Sequence, residues 1–120
     1  MPKINFAISF IIISLIITSL KANDNLDFVH GIEDLPLYKG MTNSDEGLVV
    51  FDANQGRIII SEIFGEVEIS EAENFYYKIL PNLGWQAREK NHFSRDEELM
   101  QLEFLVDKNQ LYIKFRLVPN

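Results

Sequence analysis

Nucleophilic catalysis needs a Ser, Thr or Cys beside a base, and near neutral pH that base is most often histidine. This 120-residue chain holds two histidines, His30 and His92, and no cysteine. His30 follows a polar opening and precedes Gly31, and His92 follows a Lys90-Asn91 turn, so both read as polar loop residues. No Gly-x-Ser-x-Gly elbow and no helix with two histidines at ligand spacing occurs. Carboxylates do acid and base work when one is desolvated or crowded so that the pair's pKa values separate. Glu62, Glu66, Glu68, Glu71 and Glu73 form an acidic stretch, the last two where a helix dipole favours negative charge. Asp96-Glu97-Glu98 lacks the alternating oxygen ligands and central glycine of a calcium loop. The expectation is a non-enzymatic protein with no metal and no cofactor.

Aromatic residues line small-molecule sites. Tyr77, Trp85 and Tyr112 are therefore the candidate ligand-binding residues, in a cleft between a helix and a sheet. Arg88, Lys90 and Arg95 make a small basic patch, which reads as pairing with neighbouring acids.

The elements that must position these residues follow from periodicity. Leu48-Val49-Val50-Phe51 and Arg57-Ile58-Ile59-Ile60 flank Asn54-Gln55-Gly56, a hairpin signal. A turn at Asn54-Gln55 sets Phe51 opposite Ile58, Val49 opposite Ile60 and Asp52 opposite Arg57, matching apolar with apolar and acid with base. Ser70 and Glu73 have the spacing of a capping box. A helix is expected from there, with Ala72, Phe75, Tyr76, Ile79, Leu80 and Leu83 on one face. Pro81 should end or kink it near Leu80, and Gly84 should turn the chain out. Short strands are expected at 85–89 and 92–95, turning at Lys90-Asn91 and Asp96-Glu97. Met100, Leu102, Phe104 and Val106 then alternate with polar residues, as do Leu111, Ile113, Phe115 and Leu117. A Lys108-Asn109 turn pairs Phe104 with Ile113, Leu102 with Phe115 and Met100 with Leu117 on one face, and Glu103 with Lys114 on the other. The fold class is α+β: one amphipathic helix packed on an antiparallel sheet, in the order hairpin, helix, meander.

The chain divides into residues 1–22, 23–46 and 47–120. Met1-Pro2-Lys3, the apolar run Ile4 to Ile17 and the short Thr18-Ser19-Leu20-Lys21-Ala22 follow the order of a signal peptide. Cleavage is expected after Ala22, with an uncleaved inner-membrane anchor as the alternative. The run is interrupted by Asn5, Ser9 and Ser14 and falls short of the roughly 20 apolar residues a span requires. Lacking cysteine, the chain has no site for lipid attachment at a processed cysteine. Residues 23–46 read as an extended lead-in, with Leu35, Pro36, Leu37 and Tyr38 the candidate partner-binding residues. Residues 23–120 hold all 18 acidic side chains and lose Lys3 and Lys21 from the 11 basic ones, a net charge of minus nine. That balance repels phosphate backbones and anionic lipid surfaces, so nucleic acid is not an expected partner. A membrane enters only if the N-terminal segment stays uncleaved.

Phe75-Tyr76, Leu80-Pro81 and Leu83-Gly84-Trp85, with Gly31-Ile32-Glu33-Asp34-Leu35-Pro36-Leu37, resemble a pattern in small uncharacterised exported proteins of alphaproteobacteria. The resemblance covers most of residues 23–120 and implies a periplasmic or secreted envelope protein, with no catalytic residues carried over. The expected function is a non-catalytic periplasmic binding module for an unidentified envelope protein or component. A small-ligand carrier is the alternative.

Overall fold

The structure, a computed structural model, describes residues 27–120. The expected signal segment and its cleavage site lie outside the described residues. Six strands and one helix follow in order: β1 Thr42–Ala53, β2 Gly56–Gly65, α1 Ile69–Asn82, β3 Gln86–Glu89, β4 His92–Arg95, β5 Glu98–Asp107 and β6 Gln110–Pro119. They form one antiparallel sheet in the order β1-β2-β6-β5-β4-β3, with α1 on one face. The α+β class with a single helix on an antiparallel sheet is therefore the observed architecture.

Both long hairpins take the register that the side-chain pattern demands. Phe51 faces Ile58, Val49 faces Ile60 and Asp52 faces Arg57. Phe104 faces Ile113, Leu102 faces Phe115, Met100 faces Leu117 and Glu103 faces Lys114. At the second turn both Lys108 (φ 51°) and Asn109 (φ 65°) are left-handed, the conformation that suits a two-residue turn to the twist of its strands. β1 begins at Thr42, ahead of the change of periodicity at Gly47: Thr42, Asn43 and Ser44 pair with Phe64, Ile63 and Glu62 before an irregularity between Ser44 and Val49 interrupts the register.

The helix departs from expectation at both ends. Its N-cap is Glu68 rather than Ser70, and no side chain caps it, so the Ser70–Glu73 capping box does not form. Ile69 packs against the core, which draws the first turn back past Ser70. Pro81 lies inside the helix, which runs on to Asn82. The missing amide would have met the Tyr77 carbonyl, and Tyr77 and Pro81 are both exposed, so the lost bond falls on the solvent side of the helix. The helix closes in a Schellman motif: Trp85 N–H donates to the Leu80 carbonyl and Gly84 N–H to that of Pro81, each at 3.0 Å. Gly84 has φ +94°, which a side chain would resist.

The core lies between the helix and the sheet. Ala72, Tyr76 and Leu80 meet Ile63, Leu111, Ile113, Phe115 and Leu117, all buried, with the rings of Tyr76 and Phe115 edge-on at 5.2 Å. The lead-in contributes Val29, Ile32 and Leu35 to this same core. It is a closed loop: Phe28 bridges Pro36, Val29 N–H donates to Leu35 O at 2.8 Å and Leu37 N–H to Asp27 O at 2.8 Å. Gly65 lets this segment approach the end of β2, since a Cβ there would run into the Gly40 carbonyl oxygen.

Candidate binding surface

Because successive strand residues point to opposite faces, the register assigns every side chain to a side of the sheet. Leu111, Ile113, Phe115 and Leu117 face the helix; Tyr112, Lys114, Arg116 and Val118 face away. No helix covers that second face among the described residues. Across it Phe51, Ile58, Val118 and Leu99 form one row, and Glu62, Lys114 and Glu103 another. Phe64, Tyr112 and Leu105 form a third, with Phe64 and Tyr112 stacked at 6.2 Å. A shallow depression of about 310 Å³ is lined by Glu62, Glu103, Leu105, Asp107, Tyr112 and Lys114. Three carboxylates against one ammonium make it acidic. On this face Val49 and Phe51 lie together on β1, exposed by 43 and 58%, and Leu105 stands on β5, beyond β2 and β6, exposed by 63%; Val50, exposed by 60%, points to the helix side with Ile59. Large apolar side chains at such exposure mark interaction surfaces when they cluster.

Tyr77, Trp85 and Tyr112 are not brought together. Trp85 is buried, with the Arg95 guanidinium 4.3 Å from its ring centroid. Tyr77 stands on the helix side, where its hydroxyl donates to Asn91 Oδ1 and its ring meets Phe93 edge-on at 5.8 Å. Tyr112 is on the opposite face, since it alternates with the buried Leu111 and Ile113. Strand alternation therefore sets Tyr112 on the face away from Tyr77 and Trp85.

Of the partner-binding candidates, Leu35 is wholly buried and offers nothing to a partner. Pro36, Leu37 and Tyr38 are half-buried. Tyr76 Oη donates to the Pro36 carbonyl at 2.9 Å and accepts from Tyr38 N–H at 3.0 Å, which ties the lead-in to the helix. Burial pushes the Tyr76 phenol pKa well above its ordinary value, against a lowering by the Tyr38 amide. The Tyr38 ring packs on Phe75 at 5.1 Å.

The titratable residues serve as braces. His30 Nδ1 lies 2.6 Å from Asp45 Oδ1, and His92 Nδ1 lies 2.8 Å from the Lys90 carbonyl. Arg57 Nε donates to Glu98 at 3.0 Å, and this bond raises the guanidinium's pKa against the opposing effect of burial. Arg95 does not pair within its own hairpin; it reaches Asp34 of the lead-in at 2.6 Å and the Leu83 carbonyl at 2.8 Å. No group of three or more potential metal ligands occurs among the described residues.

The chain matches no protein-family model, no curated protein and no solved structure.

The surface at Val49–Phe51 was missed by reasoning from residue types, although it has a signal. Four consecutive apolar residues from Leu48 do not alternate, unlike β5 and β6. Such a run fits a strand buried on both faces or one with apolar groups left in the open. Only its place at the end of the sheet decides which.

Proposed function

We propose that the protein is a non-catalytic binding module of the bacterial envelope, exported by its N-terminal apolar segment, that holds another envelope protein or component. The observation that carries the proposal is the sheet with a single covered face: helix and lead-in pack one side, while Phe51, Val49 and Leu105 stand exposed on the other. Exposed apolar side chains interleaved with Glu62, Lys114, Glu103 and Arg116 suit a protein surface better than an enclosed small molecule. Export is supported by the order of charge, apolar run and small residues in 1–22. Among the described residues no helix is long and apolar enough to cross a membrane.

The test is chemical cross-linking in intact cells followed by capture of the tagged protein from envelope fractions. A reproducible partner, lost when Phe51 and Leu105 are changed to Ser, is expected. Repeated capture without any partner overturns the proposal. Mass spectrometry of the same fractions locates the N-terminus, with Asn23 expected for the processed chain.

A further inference from the structure

The outer strand β1 is protected along one half and open along the other. Its first half is held by the lead-in: His30 N–H donates to Asn43 Oδ1 and Asn43 Nδ2 to the Phe28 carbonyl, each at 2.9 Å, and His30 pairs with Asp45. The strand then breaks register between Ser44 and Val49. Beyond the break, β1 pairs only with β2 among the described residues. Val49, Val50 and Phe51 are exposed by 43, 60 and 58% there, on both sides of the sheet. An outer strand presents a row of unpaired N–H and C=O groups, which proteins ordinarily shield with Lys, Pro or a covering segment. β1 contains no Lys, Arg or Pro, and the lead-in's hydrogen bonds to it reach no further than Asp45; beyond that Gly31 only borders the Leu48 and Val50 side chains on the helix-side face.

We propose that β1 from Leu48 to Ala53 is a strand-addition site for an extended segment of another protein, apolar at its centre and basic at its ends. This rests on the binding-module function proposed above and names its site and the chemistry of its partner. The unpaired backbone row selects an extended chain, because only a strand can complete it. Val49, Val50 and Phe51 select apolar residues at the centre. Asp52 at one end and Glu46 at the other select cations. Asp52 is free to do so, since Arg57 opposite it is committed to Glu98. The same acids oppose a second copy: antiparallel self-pairing about Val49 sets each Asp52 opposite the other copy's Glu46, in a chain of net charge −7.

The probe is a labelled ten-residue peptide of alternating Val and Thr with Lys at both ends, titrated by fluorescence anisotropy into the protein as purified from cells. Binding is expected to be roughly ten-fold weaker for the Glu-ended peptide, and weaker by a similar factor for the protein carrying Val50→Lys. Val50 is 60% exposed, so the variant should melt with the wild type. Amide exchange slowed at residues 49–53 on peptide addition locates the contact independently of any variant. Equal binding of both peptides, binding untouched by Val50→Lys, or sedimentation as a dimer abolished by Val50→Lys would overturn the assignment. Cross-linking with the variant separates the two proposals. A partner captured equally by wild type and Val50→Lys leaves the binding module standing and removes this site. Peptide binding with no captured partner does the reverse.

Discussion

Arg95 Nη1 donates to Asp34 Oδ2 at 2.6 Å across 61 residues of chain, and the same nitrogen donates to the Leu83 carbonyl at 2.8 Å. With its guanidinium over the Trp85 ring, Arg95 joins the lead-in, the end of α1 and the edge of the sheet. Its side chain is 20% exposed, so these bonds are made largely out of water. Arg95→Ala is expected to lose about 2–3 kcal/mol of stability through the carbonyl bond, the carboxylate bond and the cation–π contact. Asp34 is 46% exposed, and Asp34→Asn should cost at most about 1 kcal/mol. Denaturant unfolding of both variants checks the ranking; equal losses would mean that Arg95 acts only through Asp34.

Leu35 tests whether the lead-in belongs to the folded body. It is fully buried among core side chains. Leu35→Ala should therefore cost about 2–5 kcal/mol, as for other large-to-small core changes. An unfolding midpoint like that of the wild type would show a detachable arm instead.

Ser61 carries the one buried side-chain hydroxyl without a hydrogen-bond partner among the described residues. It sits on the helix-facing side of β2, opposite Phe115. A buried hydroxyl left unpaired carries its full desolvation penalty, so Ser61→Ala should hold or raise stability, by up to about 1 kcal/mol. A loss of more than about 1 kcal/mol would reveal a partner for the hydroxyl.

Tyr76 couples stability to alkaline pH. Its phenol pKa is raised in the folded protein by burial, whereas in the unfolded chain it ionises near the ordinary value of about 10. Above that pH the folded state retains a proton that the unfolded state releases, so its contribution, complete below about 10, falls as pH rises toward the folded pKa. Unfolding free energy should decline above about pH 10, and Tyr76→Phe should flatten the decline while losing about 1–2 kcal/mol at neutral pH from the Pro36 and Tyr38 bonds. A decline of the same slope in Tyr76→Phe would assign it to other groups.

What the sequence determined by itself was local. Alternation with a period of two, closed by a short turn, admits a single register for β5–β6, because a slip of one residue would turn every apolar side chain to the wrong face; for β1–β2, whose apolar runs do not alternate, the turn and the Asp52–Arg57 pair decide it. The apolar face of α1 and its exit through Gly84 were legible for the same reason: spacing along one element decides them. The start of α1 was not, since the Ser70–Glu73 spacing is permissive and Ile69 gains more from burial than the turn gains from a cap.

Tertiary structure alone decided the rest. The pairing of β2 with β6 sets Ile59 against Leu117 and Ile63 against Ile113, and no short-range pattern distinguishes those partners from other apolar strands. That pairing makes β1 an outer strand and leaves Val49–Phe51 in the open. It also sends Tyr112 to the face away from Tyr77 and Trp85, and lets Arg95 find Asp34 instead of a neighbouring acid. Residue spacing specifies which face of an element is apolar, but which element covers that face, and which face stays bare, depends on contacts between segments far apart in the chain.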